Sequence, residues 1–260
     1  MFFKDFLDFD KNVFDELEST TQFENVSEGR KGCTLADIDF INNIVPLVRT
    51  TTIYENQTGS LKSIHYKIIE KIKEKIKDKI GKNNPQFNNA LLEIYDNQYR
   101  NMKLHSDQSL DLCEDSYICL FTCYNNPGTK NIRKLKIKNK NTSETNEFTL
   151  DHNSIIYWSY ETNYKYLHQI VLKNPINNVD NNNADKWFGI TFRCSKTLIK
   201  FINNIGYFVD DQNKLLLATE EEKSEFYKLR NLENKNILFV YPKINYTISP
   251  SDLIPPLLSS

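Results

Sequence analysis

The sequence predicts an α+β fold that is mainly β, with a β-sandwich or barrel at its centre. Three observations carry this: closely spaced short apolar runs between residues 90 and 192, a long amphipathic helical pattern before them, and a capped helical pattern after them. The 260 residues, 39% hydrophobic with 16 Phe and 14 Tyr, can bury a core without disulfides. Lys+Arg number 33 against 34 Asp+Glu, so the composition is that of a globular chain and net charge gives no argument for a nucleic-acid partner.

Within 61–80, Ile64, Ile68, Ile69, Ile72, Ile76 and Ile80 recur at helical spacing with lysines interleaved. This predicts a helix packed on a sheet, its basic face solvated. Gly81, Lys82, Asn83, Asn84 and Pro85 end it, because Gly suits a left-handed cap and Pro cannot continue a helix. The runs 90–95, 116–124, 134–138, 148–150, 154–158, 167–172 and 188–192 read as strands bounded by Asn, Pro, Gly and charge clusters. Asn181, Asn182 and Asn183 read as loop. Thr219 through Glu222 form a capping box that opens a last helix, with Phe226, Leu229 and Leu232 as its apolar face. Pro242, Pro250, Pro255 and Pro256 predict an extended tail over the surface from 241 to 260. The organisation expected is an N-terminal α/β extension over 1–85, a β core over 86–200, and a C-terminal helix and tail over 201–260, together one structural unit.

No run of 18 or more apolar residues occurs, and the start lacks a basic segment leading into an apolar one. A soluble, monomeric, intracellular protein, cytoplasmic or nuclear and without a membrane partner, is expected. Five Cys with no export signal predict free thiols. Cys119 and Cys123 have a spacing seen in zinc sites, but no second pair of Cys or His stands at a matching distance. Asn, Lys and Ile are abundant, the residues AT-rich codons encode, which points to an AT-rich genome such as that of a protist or a large virus.

The chemistry sits in the histidines. Of four, His105 belongs to His105-Ser106-Asp107, and His168 lies far downstream within an apolar run. A His-x-Asp followed by a distant His is the sequence form of the two-His, one-carboxylate triad, which holds iron on one face and leaves the other positions open. His152 falls in a turn by composition, and His65 in the basic helix; neither is taken as a ligand.

The flanks of this motif resemble the AlkB-like family of Fe(II)- and 2-oxoglutarate-dependent dioxygenases. The matching blocks are residues 87–95, His105-Ser106-Asp107-Gln108, residues 148–158, Tyr166-Leu167-His168-Gln169-Ile170, and Gly189-Ile190-Thr191-Phe192-Arg193, in that order. Residues 46–54 are similar to the family's substrate-side segment, so the likeness spans about residues 45–200. It implies a double-stranded β-helix, or jelly roll, with a metal at its mouth and the N-terminal extension as a substrate lid. By motif position, His105, Asp107 and His168 would bind Fe(II). Arg193 would pair with a carboxylate of the cosubstrate 2-oxoglutarate, aided by Ser195, and Tyr95 would donate its hydroxyl to it. Arg49 and Tyr54 would face the substrate. Three positions depart from the pattern: Trp187, beside Lys186, replaces a second arginine, and Glu93 and Gly189 replace asparagines.

The resemblance implies an oxidoreductase that uses dioxygen, with oxidative demethylation of an alkylated nucleic-acid base as the first expectation. The basic segments 61–82 and 130–140 would track phosphates. A protein side-chain hydroxylase or demethylase of the same chemistry is one alternative. A non-catalytic jelly-roll binding module is the other, favoured by Trp187, Glu93 and Gly189.

Overall fold

The computed structural model describes residues 1–81, 85–173 and 185–257, so Lys82, Asn83, Asn84 and the asparagines at 181–183 lie outside the described residues. β1 (Phe2–Phe6), α1 (Phe14–Ser19), β2 (Glu24–Ser27), β3 (Arg30–Ala36), β4 (Ile44–Leu47) and β5 (Gly59–Ser60) precede the long α2 (Ser63–Ile80). Then come β6 (Asn89–Tyr95), β7 (Tyr117–Tyr124), β8 (Lys134–Asn139), β9 (Thr145–Thr149), β10 (Ser154–Ser159), α3 (Tyr160–Lys165), β11 (Tyr166–Val171) and β12 (Trp187–Arg193). β13 (Thr197–Ile202), β14 (Ile205–Phe208), β15 (Leu216–Leu217), α4 (Glu220–Lys235) and β16 (Tyr246–Thr247) follow. The architecture is mostly β with a few helices, and every apolar run read as a strand forms one, its ends shifted by a few residues.

The largest sheet runs β1-β10-β7-β12-β6-β3-β2, antiparallel along that path, with β5 pairing parallel to β3. A smaller sheet runs β11-β8-β9, and a backbone bridge from His105 to His168 adds one more segment to its β11 edge. From β6 to β12 the chain therefore passes repeatedly from one sheet to the other. Alternation of side chains sets the layers. Cys119, Phe121 and Cys123 of β7, with Phe188, Ile190 and Phe192 of β12, pack against α1 and α2. Ile118, Leu120 and Tyr124 of β7, with Trp158 and Trp187, pack against Leu135 and Ile137 of β8 and Ile170 of β11. The large sheet thus has helices on one face and the small sheet on the other. β1, β2 and β3 extend that same sheet, so the N-terminal segment is continuous with the core.

α2 buries Ile64, Ile68, Ile69, Ile72 and Ile76 and ends at Gly81, whose φ of 67° is the left-handed cap the sequence predicts. His65 is buried, and its Nδ1 accepts the Lys62 N–H at 3.0 Å to close the first turn. α4 opens with the expected capping box, but its buried face differs from the prediction. Leu232 is 47% exposed while Arg230 and Glu233 are buried, because the helix turns its charged residues toward a loop that needs hydrogen-bond partners. The tail also departs from expectation: β16 pairs with β15, and Ile244, Tyr246 and Ile248 pack into a cluster with Phe226 and Leu229. Its prolines leave it extended apart from one 3-10 turn at Pro250–Leu253, yet its apolar residues draw it into the core. No helix among the described residues is long and apolar enough to cross a membrane. All five cysteines are free thiols, and Cys119 and Cys123 are buried on the helix-facing side of β7.

Candidate metal centre

His105, Asp107 and His168 converge where the His105 segment meets β11. Backbone hydrogen bonds in both directions, His105 N to His168 O at 3.0 Å and His168 N to His105 O at 2.6 Å, set the two histidines side by side. Their ring centroids are 4.6 Å apart, and one ligand atom from each of the three residues lies within 4.8 Å of the others. His168 Nε2 stands 3.6 Å from Asp107 Oδ1. Two imidazole nitrogens and one carboxylate oxygen, on one side of a shared space, suit a single transition-metal ion, so the metal fits the residues present. Among the described residues this is the one group of His, Cys, Asp or Glu arranged to hold a metal.

The surroundings prepare each ligand. His105 Nδ1 donates to the Lys103 carbonyl at 2.8 Å, which leaves the lone pair on Nε2. Burial pushes His168 down to about 3, with His105 adding to the shift, and burial lowers His105 as well, so both rings are neutral at neutral pH. Burial alone would raise Asp107, but the Arg193 guanidinium and His168 outweigh it and hold the carboxyl well below the usual range. Arg193 Nε donates to Asp107 Oδ2 at 2.9 Å. Asn163 in α3 accepts the Asp107 N–H at 2.9 Å and donates to the Asp107 carbonyl at 2.7 Å, fixing the ligand's backbone. Trp158 packs 5.3 Å from His168, ring to ring.

A further support comes from α4, which the resemblance did not cover. Arg230 Nη2 donates to the Ser106 carbonyl at 2.7 Å, Asn234 Oδ1 accepts from the Ser106 N–H at 3.0 Å, and Glu233 Oε1 accepts from the Ser109 N–H at 2.9 Å and hydroxyl at 2.6 Å. Arg230 and Glu233 also pair with each other. The charged residues at Leu232's flanks were the available signal, since two such side chains so near a helix end read as solvated unless a partner is known.

The remaining expected site residues are scattered. Arg49 is buried in a bidentate pair with Asp111, and its Nη1 donates to the carbonyls of Ile244 at 3.0 Å and Tyr246 at 2.9 Å. It ties the tail to the core. Tyr54 is buried with its hydroxyl against Gly32. Ser195 is not among the residues gathered at the triad: its hydroxyl donates to the Leu47 carbonyl at 2.5 Å and accepts the Thr197 N–H at 3.1 Å. Tyr95 donates to Glu93 Oε2 at 2.7 Å, and Glu93 in turn accepts from Arg30 Nε at 2.8 Å. Lys186 pairs with Glu18 at 2.9 Å. His152 accepts the Tyr124 N–H through Nδ1 at 3.1 Å and stays out of the site. Two cavities of about 390 and 310 Å³ lie beside Arg49 and beside Cys33, and neither is lined by a triad residue.

The buried neutral histidines predict an acid limb for the metal-free protein. His168 and His65, the latter lowered to about 4 by burial and Lys62, have folded values below the unfolded value near 6.5. The unfolded chain therefore binds more protons as pH falls through 6.5. Stability is complete above that pH and declines below it, each histidine contributing on the order of 1 kcal/mol per pH unit. Urea unfolding of metal-free protein between pH 7 and 5 checks this; His65→Gln makes the slope shallower without abolishing it, since burial lowers His105 and His168 as well, and an unchanged midpoint across that range would contradict it.

No family model and no curated protein matches this chain. Among solved structures it is similar to that of OsALKBH1, at 11% identity and a TM-score of 0.43, over 66% of this chain and 83% of that one. A likeness that remote decides nothing about activity. The functional reading rests on the side chains.

Proposed function

We propose that this chain is an Fe(II)-dependent dioxygenase on a double-stranded β-helix, its iron held by His105, Asp107 and His168. The observation that carries the reading is the convergence of these three, two of them buried, with Arg193 bound to the carboxylate ligand. The passage of the chain between the large and small sheets from β6 to β12 supports the jelly roll. Ferrous iron, when bound, supplies redox chemistry and open coordination positions. The protein's own groups orient and protect. The Lys103 carbonyl fixes the His105 tautomer, Arg193 and Asn163 hold Asp107, and Trp158 keeps water from one side of His168.

The substrate class proposed is an alkylated base of nucleic acid, with a protein side chain as the alternative. Lys134, Lys136 and Lys138 alternate with the buried Leu135 and Ile137, so they face outward on the strand paired with β11. Phosphates could be tracked there.

The implied cosubstrate fits only in part. Arg193 offers a seat for one carboxylate, but where 2-oxoglutarate needs a second cation the strand carries Trp187, and beside it lies the buried Glu93. That same observation favours a second reading, a binding module that has kept its metal.

Anaerobic titration with Fe(II), followed by oxygen uptake in the presence of a panel of 2-oxo acids, tests the proposal. One ion per chain, absent in His168→Ala, with metal-dependent oxygen uptake, is the result expected of the dioxygenase. Metal binding without uptake would select the binding module, and no stoichiometric metal would overturn both.

A further inference from the structure

The inner face of β12, on the side of the small sheet, carries Trp187, Gly189, Thr191 and Arg193 in alternation, and Arg193 alone of these touches the triad. From Arg193 toward the other end of the strand the face closes. The Trp187 indole folds back over Gly189, and its Nε1–H donates to Thr122 on the neighbouring β7. A Cβ at position 189 would run into that indole, so the two residues are mutually adapted. Across the strand pair, Gly189 faces Glu93, a buried carboxylate already bound to Arg30 and to the Tyr95 hydroxyl. Arg133, the other buried cation at this end, donates to the Asp96 and Tyr99 carbonyls and lies over the Tyr95 and Trp187 rings.

Near the metal the situation is the reverse. Arg193 is buried, and among the described residues its only hydrogen bond runs from Nε to Asp107. Its two Nη groups are left for a ligand, in the fork that receives one carboxylate.

Resting on the metal site proposed above, we propose that this site takes a small monocarboxylate of the 2-oxo acid class, its carboxylate on Arg193, and rejects a five-carbon dicarboxylate. A second carboxylate extended from Arg193 along the face would meet an indole and the Glu93 carboxylate, while the cations at that end, Arg30 and Arg133, are already engaged by Glu93 and by the Asp96 and Tyr99 carbonyls. A buried charge without a partner is costly, and a like charge beside it adds to the cost.

The test uses the full chain loaded with Mn(II), a redox-silent probe, titrated with pyruvate, 2-oxopentanoate and 2-oxoglutarate. The last two have the same length and differ in the distal charge. Pyruvate is expected to bind at least about tenfold more tightly than 2-oxoglutarate, with 2-oxopentanoate between them. Trp187→Ala is expected to bring 2-oxoglutarate closer to pyruvate while pyruvate and Mn(II) keep their affinities. Binding of 2-oxoglutarate to the wild type as tight as pyruvate overturns the proposal, and so does a Mn(II)-loaded chain that binds neither acid. The length series needs no variant, so a Trp187→Ala chain that fails to fold leaves the test intact. Failure to bind Mn(II) is a separate result, which strikes the metal site itself.

Discussion

Asp107→Ala is expected to lower the affinity for Fe(II) or Mn(II) by more than about a hundredfold, the largest effect of any single change in this chain. The carboxylate is the one anionic ligand of the triad, and it is held ionised by Arg193, so its loss removes both a donor and the charge that attracts the ion. It also leaves Arg193 buried without its only hydrogen-bond partner among the described residues. Breaking a buried pair in this way costs about 3–5 kcal/mol. The two effects separate with Asp107→Asn, which keeps an oxygen to accept from Arg193 Nε and recovers much of the stability but little of the metal affinity. Metal titration and urea unfolding of both variants, side by side, check this. Undiminished metal binding by Asp107→Ala would remove the triad from consideration.

The triad was legible because its signal is local. His105-Ser106-Asp107 is a tripeptide, and His168 sits in an apolar run that becomes β11. The strands of the core were legible for the same reason, since period-two alternation is written in adjacent residues. What the sequence could not show depends on long-range pairing. β1 and β3 join the central sheet through partners far along the chain, and their short mixed runs have little pattern of their own. Arg49 was expected at the substrate because residues 46–54 are similar to the family's substrate-side segment, and the structure shows it committed to other partners. Its partner Asp111 and its tail carbonyls are distant in sequence, and only folding brings them together. Ser195 follows Arg193 by two residues, which suggested a shared ligand, but the chain leaves β12 there and the hydroxyl is spent on turning it. Trp187 shows the same limit from the other side. Its substitution for arginine was visible, whereas its dependence on Gly189 and Thr122 required the register of β12 against β7.

Glu233→Ala is expected to weaken metal binding by about 10- to 100-fold although Glu233 is not itself a ligand. Its Oε1 accepts from the Ser109 N–H and hydroxyl, and its Oε2 accepts from Tyr241 at 2.6 Å and from Arg230, which in turn holds the Ser106 carbonyl. Ser106 lies between the two ligands His105 and Asp107, so this network fixes the loop that presents them. Removing the carboxylate leaves Arg230 as a buried cation and frees two donors at Ser109, at a cost to stability of about 3–5 kcal/mol. A purely structural role predicts only the loss of stability, with the native fraction binding metal as before. A positioning role predicts that metal affinity falls in protein that is still folded at the temperature of the titration. Glu233→Gln divides the contributions: it can still accept from Ser109 but carries no charge for Arg230, so it is expected to retain more of the metal affinity than of the stability. Metal affinity unchanged in folded Glu233→Ala would show that the His105–Asp107 loop holds its geometry without α4, and that the C-terminal segment serves the core alone.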